Sequence, residues 1–195
     1  VSPDEWAAFV KRFRELAGDA DVVVLSGSLP PGAPIDGYAT LIELSGAART
    51  ILDTSGEALR HGLAAGPDLA KPNAAELAAA LAGAARPDAL RNAHAARTLG
   101  ARAVAVSNGP DGLLAATEEG AWRSRPPYPV AGNPTGAGDA CVAALARGLA
   151  AGTPWPALLT DAVALSAAAV AADVAGAVDL DLYRRIGHDV ITEEL

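Results

Sequence analysis

Short apolar runs that end in polar, glycine-bearing loops recur along this chain, and helical stretches separate them. Asp21-Val22-Val23-Val24-Leu25-Ser26 runs into Gly27-Ser28-Leu29-Pro30-Pro31-Gly32, and Arg49–Asp53 runs into Thr54-Ser55-Gly56. A short strand at 68–70 exits through Lys71-Pro72-Asn73, and Ala101–Ser107 exits through Asn108-Gly109-Pro110-Asp111-Gly112. Continuous β-branched runs such as 21–26 suit strands buried on both faces, as in a parallel sheet. Strand, helix and strand alternate from residue 21 onward, which predicts an α/β fold with a mainly parallel sheet and helices on both its faces. Ligand clefts of such sheets lie at the carboxyl ends of the strands. The loops at 26–32, 53–56, 71–76, 107–112 and 132–139 are therefore expected to gather along one rim.

The helices between these runs carry their own signals. Ser2, Pro3 and Glu5 have the spacing of a capped helix start, and Trp6, Phe9, Val10, Phe13 and Leu16 recur at helical spacing up to Gly18. Further helices are expected over 34–47, 57–64, from Asn73 onward, from Arg86-Pro87-Asp88 to Leu99, and over 137–150 and 155–174. Asp111-Gly112 marks a hairpin turn into a paired strand at 113–116, and a short strand follows at 121–124. The tail reads as a short helix over 180–186 and a frayed end.

Charge excludes some functions. Fifteen Lys and Arg against 23 Asp and Glu give a net charge of -8, which argues against a nucleic-acid surface. ATP, which needs only a local site, is not excluded. The single cysteine, Cys141, rules out an internal disulfide and reads as a small buried helix residue. No apolar run is long enough for a membrane span, so the chain reads as cytoplasmic with no membrane partner. Three scattered histidines give no metal cluster, and the absence of a Gly-x-Ser-x-Gly elbow argues against a serine hydrolase.

Gly132-Asn133-Pro134-Thr135-Gly136-Ala137-Gly138-Asp139-Ala140-Cys141 is the most specific stretch. It joins a proline-rich tract to a helix. Small residues at 136–138 let backbone N–H groups approach an anion, and the helix start adds partial positive charge. Asp139 is a carboxylate inside that anion-attracting turn; beside a phosphate it suits a base that accepts a proton from an attacking hydroxyl. No Gly-Lys-Ser/Thr follows, so the stretch is not a Walker loop, and Cys141 stands where the dinucleotide fingerprint needs its third glycine.

Asn133 to Asp139 resembles the second signature of the PfkB carbohydrate kinases, the ribokinase-like family. Ser-Gly-Ser-Leu-Pro-Pro-Gly at 26–32 and Asp-Thr-Ser-Gly-Glu-Ala-Leu at 53–59 resemble the phosphosugar kinases of that family, the 1-phosphofructokinase and tagatose-6-phosphate kinase group. The resemblance implies a three-layer αβα ribokinase-like fold and ATP-dependent phosphorylation of a sugar phosphate, fructose 1-phosphate first and tagatose 6-phosphate next, with Mg2+. It implies Asp139 as the base and Gly136, Ala137 and Gly138 as the anion hole. Ser107, Gly109, Gly112, Thr135, Ser166, Ala167 and Val170 would face the nucleotide, although close helix packing explains the last three equally well. Lys-Pro-Asn-x-x-Glu resembles the family motif whose Asn and Glu, here Asn73 and Glu76, hold magnesium and phosphate; the same pair has capping-box spacing. Ser26, Gly27, Ser28 and Asp53 would form a substrate loop, with Asp53 also able to cap the following helix.

The chain has no methionine and starts at Val1. The family's N-terminal part, which carries its first signature and most sugar contacts, has no counterpart before Asp21. The expectation is therefore a C-terminal, nucleotide-binding portion, residues 1–195, of one N-terminally truncated kinase domain. Such a portion would leave apolar faces exposed, would associate, for example as a homodimer, and would show little sugar kinase activity alone. A non-catalytic nucleotide-binding role on the same fold is the competing expectation.

Overall fold

The computed structural model of the chain describes residues 1–81, 83–85 and 88–195. Its contacts divide it into two compact units, Val1–Ala105 with Ala116–Glu118, and Val106–Ala115 with Glu119–Leu195.

The first unit opens with α1 (Pro3–Ala17), whose start is a complete capping box: Ser2 Oγ accepts from Glu5 N at 3.3 Å and Glu5 Oε2 accepts from Ser2 N at 2.8 Å. These bonds hold the Glu5 carboxyl below its ordinary range, the backbone donor being the main cause. Strands β1 (Val22–Ser26), β2 (Arg49–Asp53) and β3 (Leu69–Ala70) lie side by side, all parallel, and β4 (Ala103–Ser107) pairs with β3 in the same sense. Helices α2 (Gly37–Leu44), α3 (Gly56–Ala64), α4 (Ala74–Ala80) and α5 (Ala89–Leu99) connect them. Ile51, Leu52, Leu59, Leu63, Leu69 and Leu77 are fully buried, and each contributes roughly 1.5–3 kcal/mol of transfer free energy. Gly62 lets α3 close onto β2, because a Cβ there would stand 2.5 Å from Leu52 Cδ2.

Two sequence expectations change here. The run at 21–26 is not buried on both faces: β1 is the first strand of the sheet, and Val24 is 42% exposed. The apolar row of α1 is likewise largely uncovered, with Phe9 and Leu16 exposed and Ala17 its one buried residue. Trp6 stacks on Phe9, centroids 5.4 Å apart, and its ring fills the space that a Cβ on Gly37 would enter at 2.9 Å. The second helix is shorter than expected. Residues 30–37 close three-residue turns (Ala33 N to Pro30 O, Gly37 N to Pro34 O), so regular helix begins only at Gly37. Asp88 caps α5 through Leu90 N at 2.8 Å, while the expected start at Arg86-Pro87 lies outside the described residues.

In the second unit the strand order continues from the end of β4 through β5 (Leu113–Ala116) and β6 (Ala121–Arg125) to β7 (Ile191–Glu194). β6 and β7 are antiparallel, so the tail expected to fray is a strand instead. The side chains of Ser124 and Thr192 hydrogen-bond across this pair, and Thr192 meets Thr160 at 2.8 Å. That pairing is a tertiary event: Ile191-Thr192-Glu193-Glu194 is too short and polar to announce itself.

Helices α6 (Ala137–Ala151), α7 (Trp155–Val170) and α8 (Leu180–Gly187) complete the unit. Gly148 lets α6 and α7 approach closely, since a Cβ there would meet Leu158 Cδ1 at 2.3 Å. Helix α7 ends at Val170 rather than 174: Ala172 N turns back to Ala169 O, a tight three-residue closure. Leu182 and Ile186 of α8 bury Ala164 and Ala167 of α7. Arg147, Asp161 and Tyr183 tie the three helices together, with both Asp161 oxygens within 2.8 Å of Arg147 Nη2 and the Tyr183 hydroxyl donating to Asp161. No helix among the described residues is long and apolar enough to cross a membrane.

Candidate functional site

In the first unit, parallel register sets Ser26 beside Asp53 at the carboxyl ends of β1 and β2. The loop after β1 is pinned by its carbonyls. The Tyr38 hydroxyl lies 3.2 Å from Ser26 O and 3.0 Å from Gly27 O, and Thr54 Oγ1 donates to Gly27 O at 2.7 Å. Gly27 N donates to Asp53 O at 2.9 Å. Burial, and secondarily the negative charge of Asp53, push the Tyr38 phenol above its ordinary value, so it stays a donor at neutral pH. Ser26, Gly27 and Ser28 are exposed.

Asp53 does not cap α3: the cap position is Ser55, and no side-chain cap bond forms there. Its carboxylate instead sits 3.3 Å from Lys71 Nζ, and the two side chains are 17% and 5% exposed. A nearly buried ammonium of this kind needs a partner, because leaving one ion of such a pair alone costs about 3–5 kcal/mol. Beyond Lys71, Asn73 and Glu76 form a capping box on α4: Asn73 Oδ1 accepts from Glu76 N at 2.9 Å, and Glu76 Oε2 accepts from Asn73 N at 2.8 Å. The cap reading of this pair is thus realised.

In the second unit, Ser107, Gly109 and Gly112 lie on one turn, closed by Asn108 N donating to Gly112 O at 2.9 Å. Gly112 has φ 87°, and a Cβ on it would stand 2.1 Å from Ser124 O. Its glycine character is therefore explained by packing on β6. Gly109 has open space around it despite its φ of 54°.

The start of α6 is built differently. Gly136, at φ 88°, occupies the cap position, and no side chain closes the helix end. The Ala137 N–H is engaged by Pro134 O at 3.1 Å. Of the expected hole only the Ala137 amide is therefore taken: Gly136 N–H, ahead of the helix, has no acceptor among the described residues, and neither do the first-turn N–H groups of Gly138 and Asp139. Both residues are exposed. An anion placed there would meet two donors and the positive end of a fifteen-residue helix, next to a carboxylate. Asn133 Oδ1 accepts from Thr135 N at 3.0 Å, which folds the loop back on itself.

The structure separates the α7 residues. Val170 touches the loop before α6: its carbonyl accepts from Asn133 N at 2.9 Å. Ser166 is half-buried, whereas Ala167 belongs to the cluster beneath α8 and serves packing. Cys141 is buried. Among the described residues no group of three or more His, Cys, Asp or Glu could hold a metal by protein ligands alone.

Residues 2–179 match the family described as pfkB family carbohydrate kinase. The chain belongs to the pfkB family of carbohydrate kinases. It is 35% identical over 184 residues to the 1-phosphofructokinase of Escherichia coli strain K12, covering 92% of this chain and 59% of that protein. It is 44% identical over 135 residues to the 1-phosphofructokinase of Rhodobacter capsulatus, covering 67% of this chain and 42% of that one. Among solved structures, phosphofructokinase-2 from Escherichia coli in complex with potassium superposes with a TM-score of 0.88 at 31% identity, over 97% of this chain and 63% of that chain. The chain thus spans 59% of the length of the Escherichia coli relative. Its α/β fold, with a sheet parallel over β1–β4 and antiparallel at β6–β7, is the fold of these kinases.

For a pfkB chain, residue reasoning missed four supports of the site. Tyr38 and Thr54 hold the β1 loop through backbone carbonyls, which leaves no motif to read. Gly132 lets the loop before α6 close, since a Cβ on it would stand 1.9 Å from Val170 O, and the Gly176 backbone seats Gly136, whose Cβ would stand 3.0 Å from Gly176 N. A signal for Gly132 was present, since it opens the most specific stretch, but its partner lies 38 residues away in the sequence (170 minus 132).

Proposed function

We propose that the chain serves ATP-dependent phosphorylation of a sugar phosphate, with fructose 1-phosphate as acceptor and fructose 1,6-bisphosphate as product. The observation that carries this reading is the uncapped start of α6, with two N–H groups without acceptors beside the exposed Asp139, in a chain similar to two 1-phosphofructokinases. Tagatose 6-phosphate is the next acceptor to consider, because the loop at 26–32 resembles kinases for either sugar.

The reaction follows from the groups at that helix start. The acceptor hydroxyl oxygen forms a bond to the terminal phosphorus of ATP as the bond from that phosphorus to the bridging oxygen breaks, and ADP leaves. The hydroxyl proton passes to the Asp139 carboxylate. The N–H groups of Gly138 and Asp139, aided by the helix end, stabilise the charge on the phosphoryl oxygens as it shifts. Alignment and charge stabilisation of this kind account for most of the rate in phosphoryl transfer. Ser107, Gly109, Thr135, Ser166 and Val170 are assigned to the nucleotide, with Gly112 and Ala167 shaping its surroundings through packing. Ser26, Gly27, Ser28 and Asp53 are assigned to the acceptor.

Asn73 and Glu76 fit Mg2+ of the kind that keeps most of its waters. The capping box engages one Glu76 oxygen, Oε2, and a carboxylate can accept more than one bond. These two residues would hold the ion together with phosphate, and it would supply neutralisation of phosphate charge.

ATP consumption across a panel of phosphosugars and free sugars tests the proposal. Turnover with fructose 1-phosphate above all others supports it, and preference for a free sugar overturns the acceptor assignment. Nucleotide binding without turnover of any acceptor would make the chain a nucleotide-binding protein on this fold.

A further inference from the structure

The loop before α6 does not stand alone. Gly132, at φ 154°, lies flat against the last residue of α7, so close that a Cβ would come within 1.9 Å of Val170 O and 2.8 Å of Val170 C. The next residue uses that approach: Asn133 N donates to the same carbonyl at 2.9 Å. Asn133 Oδ1 then takes Thr135 N at 3.0 Å, and Gly136 turns left-handed into α6 against Gly176. The chain between Gly132 and the exposed N–H groups of Gly138 and Asp139 is thus seated at two points. One is the carboxyl end of α7, and the other is the turn that follows it.

Val170 O also has a reason to need this partner. It is the last carbonyl of a helix, with no intrahelical donor required to reach it. The Asn133 N–H satisfies it, so one hydrogen bond closes the end of α7 and fixes the loop that opens α6. That bond requires a residue without a side chain at 132.

We infer that Gly132 is a positioning residue for the terminal phosphate: by seating the loop on Val170 O, it sets where the N–H groups of Gly138 and Asp139 point. This inference rests on the proposed phosphate site at the start of α6. A side chain at 132 lifts the loop from α7, breaks the Asn133–Val170 bond and moves the two amides. The adenosine end of a nucleotide does not use those amides, so its binding is spared.

The test compares a non-hydrolysable ATP analogue with ADP, by calorimetric titration of the 195-residue chain. In Gly132→Ala, affinity for the analogue should fall about ten-fold or more, the order expected for loss of a hydrogen bond to a charged group, while ADP affinity stays within about two-fold. Gly152→Ala is the control. Gly152 also has a left-handed backbone, φ 65°, at the other end of α6, but a Cβ there meets nothing within 4 Å. It should lower the melting temperature without changing the ratio of analogue to ADP affinity. Equal loss for both ligands in Gly132→Ala, or an unchanged ratio, overturns the inference.

If Gly132→Ala does not fold, Asn133→Ala decides. It keeps the seat and removes the Oδ1 tether to Thr135, so the ratio should fall in the same direction by a smaller factor, and an unchanged ratio overturns the inference. Failure of the wild-type chain to bind either nucleotide overturns the reading of the site itself. Binding of both by the wild type, with no change in ratio in the variants, overturns the role of Gly132 alone.

Discussion

Helices α4 and α6 both begin beside residues assigned to phosphate chemistry, yet one first turn carries a side-chain cap and the other does not. The start of α4 is partly closed by its own side chains: Asn73 and Glu76 exchange two bonds, while the N–H groups of Ala74 and Ala75 have no acceptor among the described residues. The start of α6 has Gly136 at its cap and no side-chain bond, which leaves the N–H groups of Gly138 and Asp139 open. A capping box stabilises the helix by about 1 kcal/mol and takes the third first-turn donor, here Glu76 N–H, away from an anion. An open start forgoes that stabilisation and keeps donors for a ligand. The difference argues that α6 is where a phosphoryl group would be held by backbone. At α4 the amides of Ala74 and Ala75 stand beside the Glu76 carboxylate, and Glu76 N–H is already taken by Asn73.

Removing the Asp139 carboxylate should have the largest effect. Asp139→Asn is expected to cut turnover by about 10^2- to 10^4-fold, because a base acts in the transition state, with little change in the ATP dissociation constant. Turnover close to that of the unaltered chain would remove the base from the open helix start. Next comes the opening itself. Gly138→Val places a branched side chain among the donors and should weaken both nucleotide affinity and turnover, by about ten-fold or more for each charged bond lost. If titration and kinetics show neither change, the turn at α6 is structural only and the contrast with α4 collapses.

A smaller effect should appear at the capped start. Asn73→Ala removes the side-chain half of the box and should lower unfolding free energy by about 1 kcal/mol in a denaturant titration. A loss well below that would mean that the box contributes little and that Asn73 is retained for another reason. The smallest stability change is expected for Glu76→Gln. Gln still caps, so stability should shift by no more than a few tenths of a kcal/mol, while the magnesium concentration needed for half-maximal turnover rises. A magnesium titration that overlays the parent curve would return Glu76 to capping alone.

Much of the first unit was legible because its signals are local. The capping boxes at Ser2 and Asn73 depend on neighbours within a few residues, and the apolar run of β2 at Arg49–Asp53 is itself local. Strand β1 shows the limit. Its Val-Val-Val-Leu run resembles a central strand, and only its place as the first strand of the sheet leaves Val24 exposed. Asp53 shows the same limit in a polar residue. Its position after a strand suggested a cap, but the buried ammonium of Lys71, eighteen residues on (71 minus 53), claims it.

Spacing alone located the stretch from Asn133 to Asp139, the helix that follows it and the carboxylate that closes it, because glycines, a proline and a helix start restrict the backbone whatever surrounds them. Tertiary structure alone decided what the loop rests on. Val170 O takes Asn133 N–H, and Gly132 is needed because a carbonyl from a helix far along the chain lies where its Cβ would be. It also turned the tail into β7, since a short polar strand exists only where another strand offers it hydrogen bonds. Local chain geometry is set by covalent neighbours, and so it can be read in order. The occupancy of a donor or the space for a methyl group is set by atoms that folding brings from far along the chain.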